Sequence, residues 1–403
     1  MNAGVDVPEH DGWRLAGIRL SGGYGWYFGA VGAYVPFATL YFRELGFSGT
    51  EIGILAAQLS VGTAVVAPMA AAISDARGLH RTILLLALTS AAAMALILTQ
   101  ITSFWFFFLF TALFAISMAP VSSHLDSYAV TYGARSGASY GRLRVWGSAG
   151  FTIVVLVVGR WMGDIVDRRI YIAIAIGLGL ALASVFGLPK IDHQRRSSPF
   201  HGFGEAWRNR PLALLMIVAL ISAFGTAVAN NFLGIHLEEI DGSARLVGPA
   251  FAIGAASELP VMLLAGATMR KIQPFWLIAA ALLLYALRFF IYGVTESPEL
   301  LLGLQTLHGM SYGLFLTATV TLAYRLAGSG LAATAQALLT AMSFGFGSIA
   351  GSLIGGALLD HYGTARLFQG ASLILAISVT VLLLGNRVIP LSVPAPDSGT
   401  NAR

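Results

Sequence analysis

The chain has 403 residues, 57% of them hydrophobic and only 11% charged, with a formal net charge of +5. Water-soluble domains carry about 25% charged residues, so a chain this poor in charge cannot cover a water-facing surface, and soluble folds are excluded. It contains no cysteine, which removes disulfide frameworks, thiolate metal sites and cysteine nucleophiles.

What remains is a polytopic membrane protein. Hydropathy predicts twelve apolar spans, at 19–42, 51–73, 82–101, 104–130, 143–162, 170–188, 212–237, 247–268, 275–294, 299–325, 333–359 and 365–386. Each is long enough to cross about 30 Å of hydrocarbon as a helix, the form that satisfies its own backbone in lipid. The first sixteen residues are polar and no small-residue cleavage site follows the first span, which therefore reads as a retained helix. That span carries Tyr24, Trp26, Tyr27 and Tyr34, which can face a ring-shaped solute or serve as packing and interfacial residues. Asp75, Arg77 and Arg81 follow the second span. The fourth span holds Asp126, while His124 beside it lies on another helix face, poor geometry for a metal. The fifth opens with Tyr140-Gly141-Arg142-Leu143-Arg144-Val145-Trp146-Gly147-Ser148 and continues to Phe151.

The longest polar interruption, Pro189 to Pro211, divides the chain into an N-terminal bundle (1–188), a linker (189–211) and a C-terminal bundle with a short tail (212–403). An offset of 195 residues superimposes Phe37 on Phe232, Glu44 on Glu239 and Gly53 on Gly248. Matching hydropathy of six plus six spans makes the halves parallel repeats around a central cavity. In the second half, Asn230, Asn231 and His236 sit in the repeat of the first span, and Glu258, Arg288 and His308 lie within spans eight, nine and ten. All three fall roughly 9–17 Å below one face at 1.5 Å per residue. An ionisable group there costs about 2.5–3.5 kcal/mol on insertion scales, so a partner or a hydrated cavity must offset it. Arg288 cannot lose its proton and calls for an anion. Glu258 is the only acid well inside a span of that half. The pair reads either as a static bridge or as a proton carrier.

With both termini on one side, 17 of the 24 Lys and Arg residues fall on that side, which the positive-inside rule makes cytoplasmic. This distribution accounts for the basic charge without nucleic acid. No Gly-Lys-Ser/Thr loop exists to drive transport with ATP, Gly22-Gly23-Tyr24-Gly25 follows no strand and is not a dinucleotide fingerprint, and no nucleophile stands beside a base at one depth as an embedded enzyme would need.

The architecture resembles the major facilitator superfamily, and Ser74, Asp75, Gly78 and Arg81 match its loop signature, from which Ala71, Ala76 and Leu79 depart. Ser257-Glu258-Leu259, Leu287-Arg288-Phe289, the run from Leu304 to Gly309 around His308, and the Tyr140–Ser148 segment resemble the lactose permease and phenylpropionate permease branch. The resemblance implies an all-α membrane fold of twelve transmembrane helices in two pseudo-symmetric six-helix bundles, and a secondary transporter that alternates access. It implies proton coupling by Glu258, Arg288 and His308, solute binding by Asp126, Arg144, Trp146 and Phe151, and gating by Asp75, Arg77 and Arg81; Tyr27 and Asn231 join the solute-binding set on residue type and position alone. Ser311 stands where lactose permease has a second carboxylate, and Phe151 replaces its sugar-stacking indole, which counts against a galactoside. The expectation is a monomeric proton symporter in the inner (plasma) membrane with both termini cytoplasmic, importing an aromatic acid, a nucleoside or a sugar-like solute. It needs no cofactor beyond the proton gradient. A proton-driven exporter, which would carry a proline in the fifth span, and a non-transporting sensor are the rival readings.

Overall fold

The computed structural model describes residues 15–190, 203–241 and 243–391. The linker lies largely outside these, apart from a short helix at Phe203–Arg208. Twelve antiparallel helices follow: α1 (16–44, bent at residues 35–37), α2 (Gly49–Arg77), α3 (His80–Leu98), α4 (Phe104–Ser136), α5 (Tyr140–Met162), α6 (Arg169–Val185), α7 (Arg210–Asp241), α8 (Val247–Lys271), α9 (Pro274–Tyr292), α10 (298–327), α11 (329–362) and α12 (364–388). Gly328 and Gly363, at φ 67° and 73°, break otherwise continuous helix between α10, α11 and α12. Such left-handed backbone is open to glycine at little cost. Three π-helical segments interrupt the spans, Gly62–Val66 in α2, Gly309–Gly313 in α10 and Ala341–Gly347 in α11.

The halves repeat one packing scheme. α1 packs on α5 and α6, and its counterpart α7 packs on α11 and α12. Large side chains such as Leu263 (84% exposed), Trp105 (75%) and Ile18 (73%) form the outer surface, as a lipid-facing protein requires. The N-terminal core is aromatic, with Tyr34, Tyr41, Phe107, Phe114 and Tyr171 in contact.

Among the described residues, the halves meet from the far face inward along α2 and α11, as far as Ala64 against Gly345. On the face opposite the arginine-rich loops, Asp360 of α11 accepts from Gly49 N, Thr50 N (2.8 Å) and Thr50 Oγ1 (2.7 Å), capping α2 across the interface. Gly53 and Gly356 let the same two helices touch backbone to backbone. Gly159 of α5 meets Gly248 of α8, Thr39 donates to the Asn231 carbonyl (2.6 Å), Arg43 pairs with Glu239 (3.0 Å) and Arg245 with Asp164 (2.7 Å). Among the described residues, no comparable packing joins the inner half of α2 (Ala67–Arg77) to Leu314–Thr340 across the divide. The two bundles therefore close over the far face and part toward the basic one.

Candidate functional site

Each bundle contributes a polar cluster. In the C-terminal half, α8 and α10 approach until a Cβ on Gly309 would lie 2.0 Å from the Ser257 carbonyl, and Ser257 Oγ accepts from Gly309 N (2.8 Å). This contact sets Glu258 beside His308, whose Nε2 stands 3.2 Å from Glu258 Oε1. Arg288, 2% exposed, fills the space behind. It donates to Ser311 Oγ (2.5 Å), Tyr292 OH (2.8 Å) and Gln305 Oε1 (3.2 Å), and its Nη1 points at His308 Nδ1 (3.4 Å). Its carbon lies over the Tyr285 and Tyr292 rings at 5.4 and 5.5 Å.

Of the two readings of the pair, the static Glu258–Arg288 bridge is not formed here. No carboxylate among the described residues lies within ion-pair distance of Arg288. Ser311, a departure from the family pattern, is one of its ligands, and an imidazole separates it from Glu258. A guanidinium only donates, so His308 Nδ1 must accept and the ring carries its hydrogen on Nε2, aimed at the carboxylate. A second proton on His308 would confront Arg288. Glu258, with a quarter of its side chain accessible, meets the cation only through His308.

In the N-terminal half, Asp126 Oδ1 accepts from Tyr24 OH (2.6 Å) and Tyr140 OH (2.9 Å). Arg144 lies flat over Phe28, 3.9 Å from the ring centroid, with Tyr24 at 6.0 Å and no carboxylate among the described residues within ion-pair distance. Tyr27 is buried, its ring edge-on to Phe28 at 5.0 Å. The site thus holds a carboxylate and a guanidinium that do not neutralise each other, with aromatic faces between them. Phe151, two helical turns beyond Arg144 on α5, packs against Gly32.

Not every expected residue converges. Trp146 is 54% exposed and lines an outward groove with Trp26, Ile18 and Ile153, away from Asp126 and Arg144. Asn231 donates to Ser352 (2.8 Å) within the second bundle, whereas Asn230 beside it is exposed. His236 is bound up at the far face. In the loop after α2, Gly78 (φ 67°) closes the helix, Asp75 pairs with His80 (3.2 Å), Arg81 donates to the Phe186 carbonyl (2.6 Å), and Arg77 is exposed. A cavity of about 290 Å³ runs from Asp75 and His80 past His124 to Asp126. Phe28, Tyr285 and Tyr292 escaped the sequence reading, and Ser311 entered it only as a departure from the family pattern, not as a ligand of Arg288. Tyr285 and Tyr292, three residues before and four after Arg288 on one helix face, are the two that spacing alone points to.

Comparison with known proteins gives a consistent answer. The model of the MFS_1 like family matches residues 17–370. The maltose permease of Geobacillus stearothermophilus is 29% identical over 89% of this chain and 91% of its own length. The probable 3-phenylpropionic acid transporter of Escherichia coli (strain K12) is 24% identical over 72% and 77%. The crystal structure of the nucleoside transporter NupG superposes with a TM-score of 0.81 at 16% identity, covering 92% of this chain and 98% of that one.

Proposed function

We propose a function from one premise: this chain belongs to the MFS_1 like family of major facilitator transporters, and it is a membrane transporter, not an enzyme. Its coupling ion is the proton, its cargo a neutral polyhydroxylated solute of the sugar or nucleoside class, and its direction import. The basic face is cytoplasmic by the positive-inside rule, which places both termini inside the cell and makes the present conformation inward-facing.

The observation that carries the reading is the buried relay Arg288–His308–Glu258. Glu258 holds the proton during import. Arg288, with no anion of its own, keeps a fixed positive field behind His308, so that a carboxyl facing the cavity releases its proton when the inner water reaches it. The solute sits between Asp126, Arg144 and Tyr140 on one side and, on the other, Asn230 and Tyr312, whose ring stacks on His308 at 5.3 Å. A hydroxyl can donate to Asp126 while its neighbour accepts from Arg144. A substrate with both donors and acceptors suits a site whose two charges balance. The maltose permease and nucleoside transporter likenesses support that choice. Arg144 without a carboxylate partner favours a second reading, an aromatic carboxylate, which the phenylpropionic acid transporter likeness supports.

The test is uptake in proteoliposomes under an imposed pH gradient, with maltose, uridine and 3-phenylpropionate as solutes. We expect concentrative uptake of a polyol and, for Glu258→Gln, exchange at near wild-type rate with loss of accumulation. Undiminished uphill uptake by that variant removes Glu258 from the mechanism.

A further inference from the structure

The far-face gate contains a hydrogen-bonded chain whose atoms fix its proton count. His236 on α7 is 2% exposed. Its Nε2 lies 2.8 Å from the Tyr292 carbonyl and its Nδ1 2.8 Å from Thr364 Oγ1. Thr364 Oγ1 also donates to Glu239 Oε2, and the other oxygen of Glu239 accepts from Arg43 of the opposite bundle at 3.0 Å. A carbonyl only accepts, so Nε2 carries a hydrogen. The threonine hydroxyl has a single hydrogen and two neighbours that ask for one. With a neutral His236 and an ionised Glu239, one of the two contacts would set lone pair against lone pair in a buried site, at the cost of an unmade hydrogen bond. Both form only if the chain holds one more proton, on His236 Nδ1 or on Glu239.

From this count we infer that His236, Thr364 and Glu239 form a second proton-binding site, separate from Glu258, which the far-face gate must load in order to close. With Arg43 in place the carboxylate is ionised and the proton resides on His236. When Arg43 withdraws, Glu239 loses its cation and the pair with His236 collapses: His236 Nδ1 gives its proton to Thr364 Oγ1, and the threonine's own hydrogen passes to Glu239 Oε2. One proton moves and no electrons do. Among the described residues, the other charged groups near the chain are Glu238, 3.9 Å from Arg43, and Glu44 at the end of α1; from α12 the Phe368 ring lies 4.8 Å from His236, and from α9 the Tyr292 carbonyl faces it. The proton count stands without the symport reading; its use as a check on gate closure rests on that reading.

The proton can be located in the purified full-length protein. ¹⁵N-histidine NMR, assigned by His236→Gln, reports the imidazole, and the carboxylic-acid infrared band, assigned by Glu239→Gln, reports the carboxyl. We expect an imidazolium signature for His236 in the unaltered protein, and in Arg43→Gln a shift to neutral imidazole with gain of the Glu239 acid band. A neutral His236 with no Glu239 acid band overturns the proton count. A proton already on Glu239 in the unaltered protein, or one that stays on His236 in Arg43→Gln, overturns its control by the gate. Neither readout needs a transported solute, so a failure of the symport reading leaves both results standing.

Discussion

Arg288 keeps its charge in a buried site by gathering three oxygens and an imidazole nitrogen instead of an anion. Removing one of these leaves a buried donor unpaired, at a cost of about 1–3 kcal/mol. Ser311→Ala is therefore expected to lower the unfolding temperature, read by a thermal-shift assay, with a smaller deficit for the more distant His308→Gln. Arg288→Lys keeps the charge but not the planar fork that reaches Ser311, Tyr292 and Gln305 together; coupled uptake should fall by an order of magnitude or more although the variant inserts and folds. The need for a partner at Arg288 was legible in the sequence from its depth alone. The kind of partner was not, because Ser311 and Gln305 approach from another helix. Trp146 teaches the reverse. Two residues after Arg144, it is rotated by about 200° on a helix, so spacing already set it on the opposite face, and likeness to a family motif outweighed that geometry.

At the level of helices, twelve spans and two bundles were readable because hydropathy reports burial in lipid directly, and the ends of most helices fall within a few residues of the hydropathy limits. The π-helical turns were not readable, since nothing local in Gly309-Met310-Ser311-Tyr312-Gly313 demands an extra residue per turn. It coincides with the close approach of α8 and α10 at Gly309, and the same approach sets Glu258 beside His308. Gly309→Ala would place a Cβ 2.0 Å from the Ser257 carbonyl, so these helices must part and Glu258 must leave His308. The expected result is loss of proton-driven accumulation with solute exchange retained, measured in the same proteoliposomes. Gly150→Ala, where the Cβ would meet Gly25 O at 1.9 Å, should instead impair solute binding, because α1 and α5 carry Tyr24 and Arg144.

For the molecule as a whole, the question is which contacts hold the far face shut. The Arg43–Glu239 pair is 40% and 34% exposed, and such surface pairs contribute about 0–1 kcal/mol. Asp360 accepts three hydrogen bonds at the start of α2, and bonds to a charged group are worth about 1.5–3 kcal/mol each. Asp360→Ala should therefore shift the population toward the outward-open form by about tenfold or more. Arg43→Gln should shift it by less than fivefold. Maleimide labelling of a cysteine placed at Ser352, in a chain that has none of its own, measures both. Equal labelling in the two variants would show that Asp360 is not the latch. The resting shape also has a pharmacological sidedness. With the basic face cytosolic, as proposed, a blocker moulded to that shape would meet a wall from the medium and an open mouth from the cytosol, so its potency on inverted vesicles should exceed its potency on intact cells.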